Sequence, residues 1–346
     1  MPKFKKINLE LGMWEEVKRR NLQPNQPAVS LTDILEELDP SSNYPDVKLD
    51  AFERQLAARG LVVRGPKSVR LDQFYDPDNI VLFPEFITRE VRAGQLLGRT
   101  QCRTTDLIAA ETEIDSGVYD AAILDMAEDE LSMKIVGELA TFPKVTIKSA
   151  TKPITLRKHG MRILESYEHA RRISANLFAV FLRQVGQKME KDMVEDAVDV
   201  LINGNPGNNN AGFAFNKTTL NYDNLVDFWA EFDPFESTVL VAPKAGVTGI
   251  LKLQEFKDAM VGFDFQRTGN LITPLGNEFR RHDTSLLTSK ILGVDTRSAL
   301  EKVRERGASL VEADKIIRQQ ANEIVVSEVV GFSKILAKAA GVWDYS

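Results

Sequence analysis

Three histidines (His159, His169 and His282) and one cysteine (Cys102) are the side chains from which a metal centre or a thiol–imidazole pair would have to be built. None of the histidines has a partner at metal-ligand spacing, and neither H-x-x-x-H nor C-x-x-C occurs. A lone cysteine rules out an intrachain disulfide and a thiolate cluster, and no histidine is near it in sequence, so Cys102 reads as a small semi-buried residue. His159 and His169 sit beside Lys and Arg and read as surface residues. GNPGNNN (204–210) has the glycines of a phosphate loop but lacks the Lys-Ser/Thr ending, and it follows a helix rather than a strand. GVTG (246–249) lacks the third glycine of a dinucleotide turn, and no G-x-S-x-G elbow is present. The carboxylates of EKDMVEDAVD (190–199) suit a solvated face or a charged interface better than an acid–base pair. They oppose the dipole of the helix they end, which points to positive partners from another segment or subunit. No catalytic, cofactor-binding or metal-binding residue is assigned from this inventory.

A net charge of −6 does not build the whole molecule for phosphate backbones or anionic membranes, although a local basic surface is compatible with it. With 43% apolar and 27% charged residues the chain is ordinary for a globular protein, and 346 residues suffice for two or three cores. No run approaches the ~18–20 apolar residues of a membrane span. The start, MPKFKKINLELGMW, has no apolar stretch of signal-peptide type. A soluble protein kept in a reducing compartment is expected.

The elements that would position any site are uneven along the chain. Helical pieces at 8–20, 31–38 and 49–59 are separated by the joints QPNQP, DPSSNYPD and RGPKS, which break helices. Leu49, Phe52, Leu56 and Ala57 give one apolar face too small to fold alone, so this arm should dock on something else. A helix from about Glu85 to Leu97 follows Pro84 and stops at Gly98. VYDAAILD and LSMKIVG read as two strands around the acidic turn AEDE, a ribbon with little core of its own. Gly160, within an alternating strand, suggests a bulge or a close backbone approach. Ser166 then caps a helix predicted to run from Tyr167 to Ile202, ~54 Å at 1.5 Å per residue, with Gly186 as a possible bend and Asn203-Gly204 as its stop. Beyond residue 206 come a short helix capped by Asn221, a buried-type strand STVLVAP, a helix over GVTGILKLQEFKDAM and a helix over SALEKVRERG. The class is α+β, without a regular βαβ repeat.

Charge along the ribbon is split. Asp120, Asp125, Glu128, Asp129 and Glu130 fall within eleven residues, whereas Lys144, Lys148, Lys152, Arg157, Lys158 and Arg162 fall in a stretch with no acidic residue. Two solvated faces of a sheet account for this. So does an acidic tip meeting the basic stretch of a neighbouring copy. On the second reading Asp125, Glu128, Asp129, Glu130, Lys144, Lys148 and Lys152 are assembly residues, and Gly160, Ser166 and Glu168 shape the start of the long helix.

In order, these parts resemble a tailed-bacteriophage major capsid protein with the Hong Kong 97-type fold. FERQL (52–56) and LFPEFITREV (82–91) resemble its arm and following helix, and GELATFP (137–143) the exit from its extended loop. ITLRKHGMRILESYEHARR (154–172) resembles the start of its spine helix. NYDNLVDF, TPLG, the ALEKV–ERG segment and SEVVGFSKI resemble its axial domain and return strand. The resemblance covers roughly residues 49–346 and implies four parts: an arm (1–82), a peripheral domain with the spine (83–117, 153–205, 323–346), an extended loop (118–152) and an axial domain (206–322).

The resemblance also implies a non-enzymatic shell subunit with no cofactor and no membrane partner. Many copies would meet as hexamers and pentamers in a virion head, assembled in the bacterial host cytoplasm. They would touch double-stranded DNA weakly and without sequence preference, alongside portal and scaffolding or decoration proteins. An encapsulin-like nanocompartment shares the implied fold but would enclose a protein cargo. Some relatives cross-link through the extended loop; Lys134 lies in the comparable region, but no acceptor or catalytic acid matches, so that chemistry is not carried over. Residues 1–80 have the size of a cleaved scaffold yet lack a sustained heptad pattern.

Overall fold

The computed structural model describes residues 4–10, 12–23, 29–98, 100–125, 135–136, 138, 146–149, 152–207, 210–257, 273, 275–308 and 310–346. Its helices are α1 (Gly12–Asn21), α2 (Leu31–Leu38), α3 (Ala51–Ala58), α4 (Leu82–Gln95), α5 (Tyr167–Ala170), α6 (Ala175–Asn203), α7 (Tyr222–Ala230) and α8 (Lys244–Leu251). Strands β1 to β6 are Ala110–Ile114, Val118–Tyr119, Ala122–Asp125, Thr146–Ser149, Ile154–Thr155 and Arg157–Ser166. Strands β7 to β14 are Phe213–Asn216, Val239–Ala242, Glu278–Arg281, Lys290–Val294, Leu300–Glu305, Leu310–Ile316, Ala321–Lys334 and Ala340–Asp344. The fold class is α+β. Contacts divide the chain into a first unit (Met1–Leu97, Lys158–Glu190, Glu305–Val329) and a second (Gly98–Arg157, Lys191–Arg304, Val330–Ser346). This division differs from the four parts expected from sequence.

In the first unit the arm is not left without a partner. The apolar faces of α2 and α3 (Leu31, Leu35, Phe52, Leu56) enter one core with Phe74, Phe83 and Ile87, with Phe178 and Leu182 of α6, and with Ile324 and Val326 of β13. The something on which the arm docks is its own chain. Ser30 with Asp33 and Asp50 with Glu53 close capping boxes at the starts of α2 and α3, which satisfies orphan amides on both sides of the Pro-rich joint. The joint itself wraps a fully buried Arg54, which donates to Ser41 Oγ (2.7 Å), Leu49 O (2.9 Å) and Asp39 O (2.5 Å). Helix α4 begins at Leu82, earlier than expected, because Pro84 then occupies the first turn, where a missing N–H leaves nothing unpaired.

Gly186 serves a packing contact. A Cβ there would lie 2.1 Å from the Val91 carbonyl oxygen, and one at Gly94 would lie 2.2 Å from that of Arg183. Helices α4 and α6 therefore cross backbone to backbone, and the crossing is flanked by the buried Glu90 carboxylate, 2.6 Å from the Arg183 guanidinium. The expected continuous helix from Tyr167 is instead split into α5 and α6. Ile173 O accepts from Leu71 N (3.1 Å) and Ala175 N donates to Val69 O (2.8 Å), so the backbone of the connecting residues pairs with the arm. The spine proper is 29 residues, ~43 Å.

The second unit is built on a mixed sheet of order β7-β14-β10-β8-β9, in which β7–β14 and β8–β9 are parallel and the inner pairs antiparallel. Both faces are covered, so the strands read as continuous apolar runs rather than alternating ones. Ile291, Leu240 and Trp343 pack under Phe228, Phe232 and Ile250 on the α7 and α8 side. Leu292, Val294 and Val342 pack against Met193, Val194, Ala197 and Leu201 of α6 on the other. Asn221 caps α7 by accepting from Asn224 N, as its type and place predict. The segment SALEKVRERG is a strand, β11, and not a helix. Leu300 and Val303 have helical spacing, but pairing with β13 (Leu300↔Lys334, Val303↔Gly331) and with β1 overrides it. The helix expected over 246–260 ends as α8 plus a short turn, Glu255–Lys257; its last residues lie outside the described ones.

Candidate assembly surface

Two features expected to matter for assembly can be built from the residues upward: the ribbon and the junction that starts the spine. The ribbon consists of two antiparallel ladders. Val118 and Tyr119 face Thr155 and Ile154, and Ala122–Asp125 faces Ser149–Thr146 in register. Two residues separate the ladders on the first strand and four on the second, Pro153 among them, so the register slips where a residue has no N–H to donate. Among the described residues VYDAAILD pairs with 146–149 and 154–155; most of LSMKIVG, expected as its partner, lies outside the described residues, as do Glu128, Asp129, Glu130, Lys134 and Lys144. Among the described residues each ladder is a two-stranded sheet. The ribbon is rooted at its base, where Ala121, Ile154 and Leu156 are buried, Leu156 N donates to Gly117 O (3.1 Å) and the Tyr119 hydroxyl donates to Glu301 (3.0 Å).

Of the residues expected on the ribbon, Asp125 stands opposite Thr146 and Lys148 opposite Ile123, so one acidic and one basic position are close in the register of a single copy. Lys152 is exposed, and its methylene groups run over Gly207, where an added Cβ would meet Lys152 Cδ at 2.8 Å. Gly160 makes the expected close approach, with a would-be Cβ 3.1 Å from both Ser327 Cβ and the Val326 carbonyl oxygen. Ser166 is the cap of α5, accepting from His169 N, and Glu168 is exposed in its first turn.

Sequence reasoning missed two buried ionisable groups near these features. Glu165 lies just before the cap and is 5% exposed. Burial pushes its carboxyl up to about 7, and the neighbouring Tyr75 hydroxyl pulls it back only in part. The strand parity of Met161, Ile163 and Glu165 was the available signal, because it puts Glu165 on the side of Ile163. Lys334, in the second unit, is fully buried, and its Nζ donates to Leu201 O (2.9 Å) near the C-terminal end of α6. The Asn/Gly loop that resembled a phosphate loop serves this lysine's backbone instead. Lys334 N donates to Asn205 Oδ1 (2.7 Å), and Asn205 and Asn210 Nδ2 donate to Lys334 O (3.0 and 3.2 Å). A positive partner for the acidic end of α6 comes from the same chain, through Arg157, 2.6 Å from Asp196. Gly204, at φ 80°, stops the helix as expected.

Elsewhere in the second unit a cavity of about 590 Å³ is lined by Asp106, Trp229, Glu236, Ser237 and Glu278 among others. Its carboxylates sit in ion pairs, Asp106 and Glu278 with Arg280 (3.2 and 2.6 Å) and Glu236 with Arg297 (2.9 Å), and are held as charge partners rather than as a free acid and base. His282 is 4% exposed, and burial followed by the Lys191 charge pushes it down to about 4, so it is neutral at pH 7. Among the described residues no three His, Cys, Asp or Glu side chains group as metal ligands, and no helix is long and apolar enough to cross a membrane.

No protein-family model matches the chain, and no curated protein matches it either. Among solved structures it is similar to the capsid of a native GTA particle, at 13% identity over 72% of this chain and 93% of that one (TM-score 0.49). It is similar to a chain of Microbacterium phage Oxtober96, at 11% identity over 72% and 93% (TM-score 0.49). It is also similar to a virus-like particle from Pyrococcus furiosus, at 11% identity over 75% and 96% (TM-score 0.46).

Proposed function

We propose that this chain is a structural major capsid protein of the Hong Kong 97 type, many copies of which close the icosahedral head of a tailed bacteriophage around double-stranded DNA. The observation that carries the reading is the ribbon: paired strands rooted in the second unit and continued as ladders that are two-stranded among the described residues. A two-stranded ribbon is marginal in water by itself. Ordering each of its residues costs roughly 1–2 kcal/mol, and intersubunit burial is the natural offset. A second surface supports association: Leu177, Val180 and Phe181 form an i, i+3, i+4 stripe on α6 with 49%, 44% and 52% of their area exposed.

On this reading the arm stays on its own copy, and assembly rests on the ribbon and the spine. The four-part division and the hexamers and pentamers belong to the proposal, as do host-cytoplasm assembly, weak DNA contact and portal, scaffolding or decoration partners. The test is electron microscopy of the purified full chain. Closed shells with nucleic acid support the proposal, shells filled with protein cargo favour the encapsulin-like alternative, and small discrete oligomers refute both. Deleting 121–136 should leave a folded protein that closes no shells. In the same assay Glu128→Lys should impair closure, with Lys148→Glu restoring it; normal heads from both would remove the acidic-tip contact.

A further inference from the structure

We propose that Glu165, Tyr75 and Asn322 form a proton-operated latch at the strand-to-spine junction, closed while the Glu165 carboxyl carries its proton and opened by its ionisation. The three side chains come from three segments of the first unit: β6, the 3-10 turn Leu71–Tyr75 and β13. Glu165 and Asn322 are 5% and 2% exposed, and the Tyr75 hydroxyl oxygen is buried. The hydroxyl interacts with both partners, yet Glu165 Oε2, Tyr75 Oη and Asn322 Oδ1 have no neighbour in good hydrogen-bond geometry. The cluster is placed to matter. Glu165 precedes the Ser166 cap, Tyr167 N donates to Gln320 O (2.9 Å), and Gln320 turns the chain into β13 through a left-handed φ of 48°.

Counting donors explains the two states. With the carboxyl protonated, its O–H can donate to Tyr75 Oη and the Tyr75 O–H to Asn322 Oδ1, so two donors link the three side chains in a chain through the phenol. Ionisation removes one donor, leaves Asn322 Oδ1 unpaired and buries a negative charge against one phenol. The ionisable groups around Glu165 are Tyr75 and, on the following turn, Tyr167; Asn322 of β13 is neutral, and among the described residues no Lys, Arg or His acts on Glu165. On the same strands Arg162 pairs with Glu323. Burial raises the carboxyl to about 7 from an ordinary value of 4.5. The closed junction therefore holds its proton between those values while the open one loses it, and closure weakens as pH rises through that window.

The latch does not rest on the shell reading, since a chain that never assembled would show it equally. The experiment is hydrogen exchange of the full chain, followed by mass spectrometry on peptides covering 160–175 and corrected for intrinsic exchange. The opening constant should rise about tenfold per pH unit between about pH 5 and 7 and level off above, the behaviour of one linked proton. Glu165→Gln supplies a neutral donor and acceptor of the same shape, and should hold the junction at its low-pH protection with no inflection. A flat wild-type profile overturns the latch by itself, and so does an inflection that survives in Glu165→Gln.

Discussion

The buried lysine at the end of the spine gives the sharpest quantitative test. Lys334 is fully buried, one hydrogen bond to Leu201 O holds its Nζ, and burial pushes it down to about 7 from an ordinary 10.5. Below pH 7 the lysine is protonated whether the chain is folded or not, and the folded state bears the whole cost of burying the charge. Between about 7 and 10.5 the unfolded chain binds the extra proton, so stability rises with pH through that window. A shift of that size corresponds to at most about 5 kcal/mol, reduced by the pull of the α6 carbonyls on the charged form. Lys334→Met removes the titration. It leaves Leu201 O without its donor, a loss of about 1 kcal/mol, against a gain of roughly 1–4 kcal/mol from replacing a buried charge with an apolar chain. The assay is denaturant unfolding from pH 6 to 10, followed by the fluorescence of Trp229 and Trp343, both in the second unit. Wild type should gain several kcal/mol between pH 7 and 10 relative to the variant, which should also be the more stable of the two at pH 7. Identical pH slopes in the two proteins would refute the reasoning.

Two further outcomes follow from packing in the first unit. Gly186→Ala puts a Cβ 2.1 Å from the Val91 carbonyl oxygen, backbone against backbone, so α4 and α6 must separate at a loss of about 3 kcal/mol. Unfolding reported by Trp14, whose indole N–H donates to Val81 O, should show this loss, and an unchanged midpoint would contradict the crossing. Arg54→Ala leaves the Asp39 and Leu49 carbonyls and the Asp39 carboxylate without their buried donor, and should cost about 3–5 kcal/mol by the same measurement.

Local punctuation was legible in the chain. Ser166 and Asn221 as caps, Gly204 as a stop, Gly160 as a close approach and the strand character of Val239–Ala242 depend on a few adjacent residues, and each occurs where its type predicts. The α+β class followed from the same signals. What failed were inferences about partners distant in sequence. Leu300 and Val303 carry a helical spacing, and only the strand thirty residues later makes them a sheet. The break before Ala175 comes from a backbone pairing with Val69–Leu71, about a hundred residues upstream. The pairing of the ribbon's first strand with 146–149 and 154–155, across the slip around Pro153, likewise has no local signal.

Sequence alone therefore determined where caps, helix stops and close backbone approaches fall, because caps and glycines act within one turn of the chain. Tertiary structure decided which faces meet. It folded the arm back onto its own unit, turned Gly186 into a helix crossing, and placed Glu165 and Lys334 where no counter-charge meets them. A hydrophobic face or a carboxyl specifies that it needs a partner but not which one, and that choice is settled by the free energy of the whole packed arrangement.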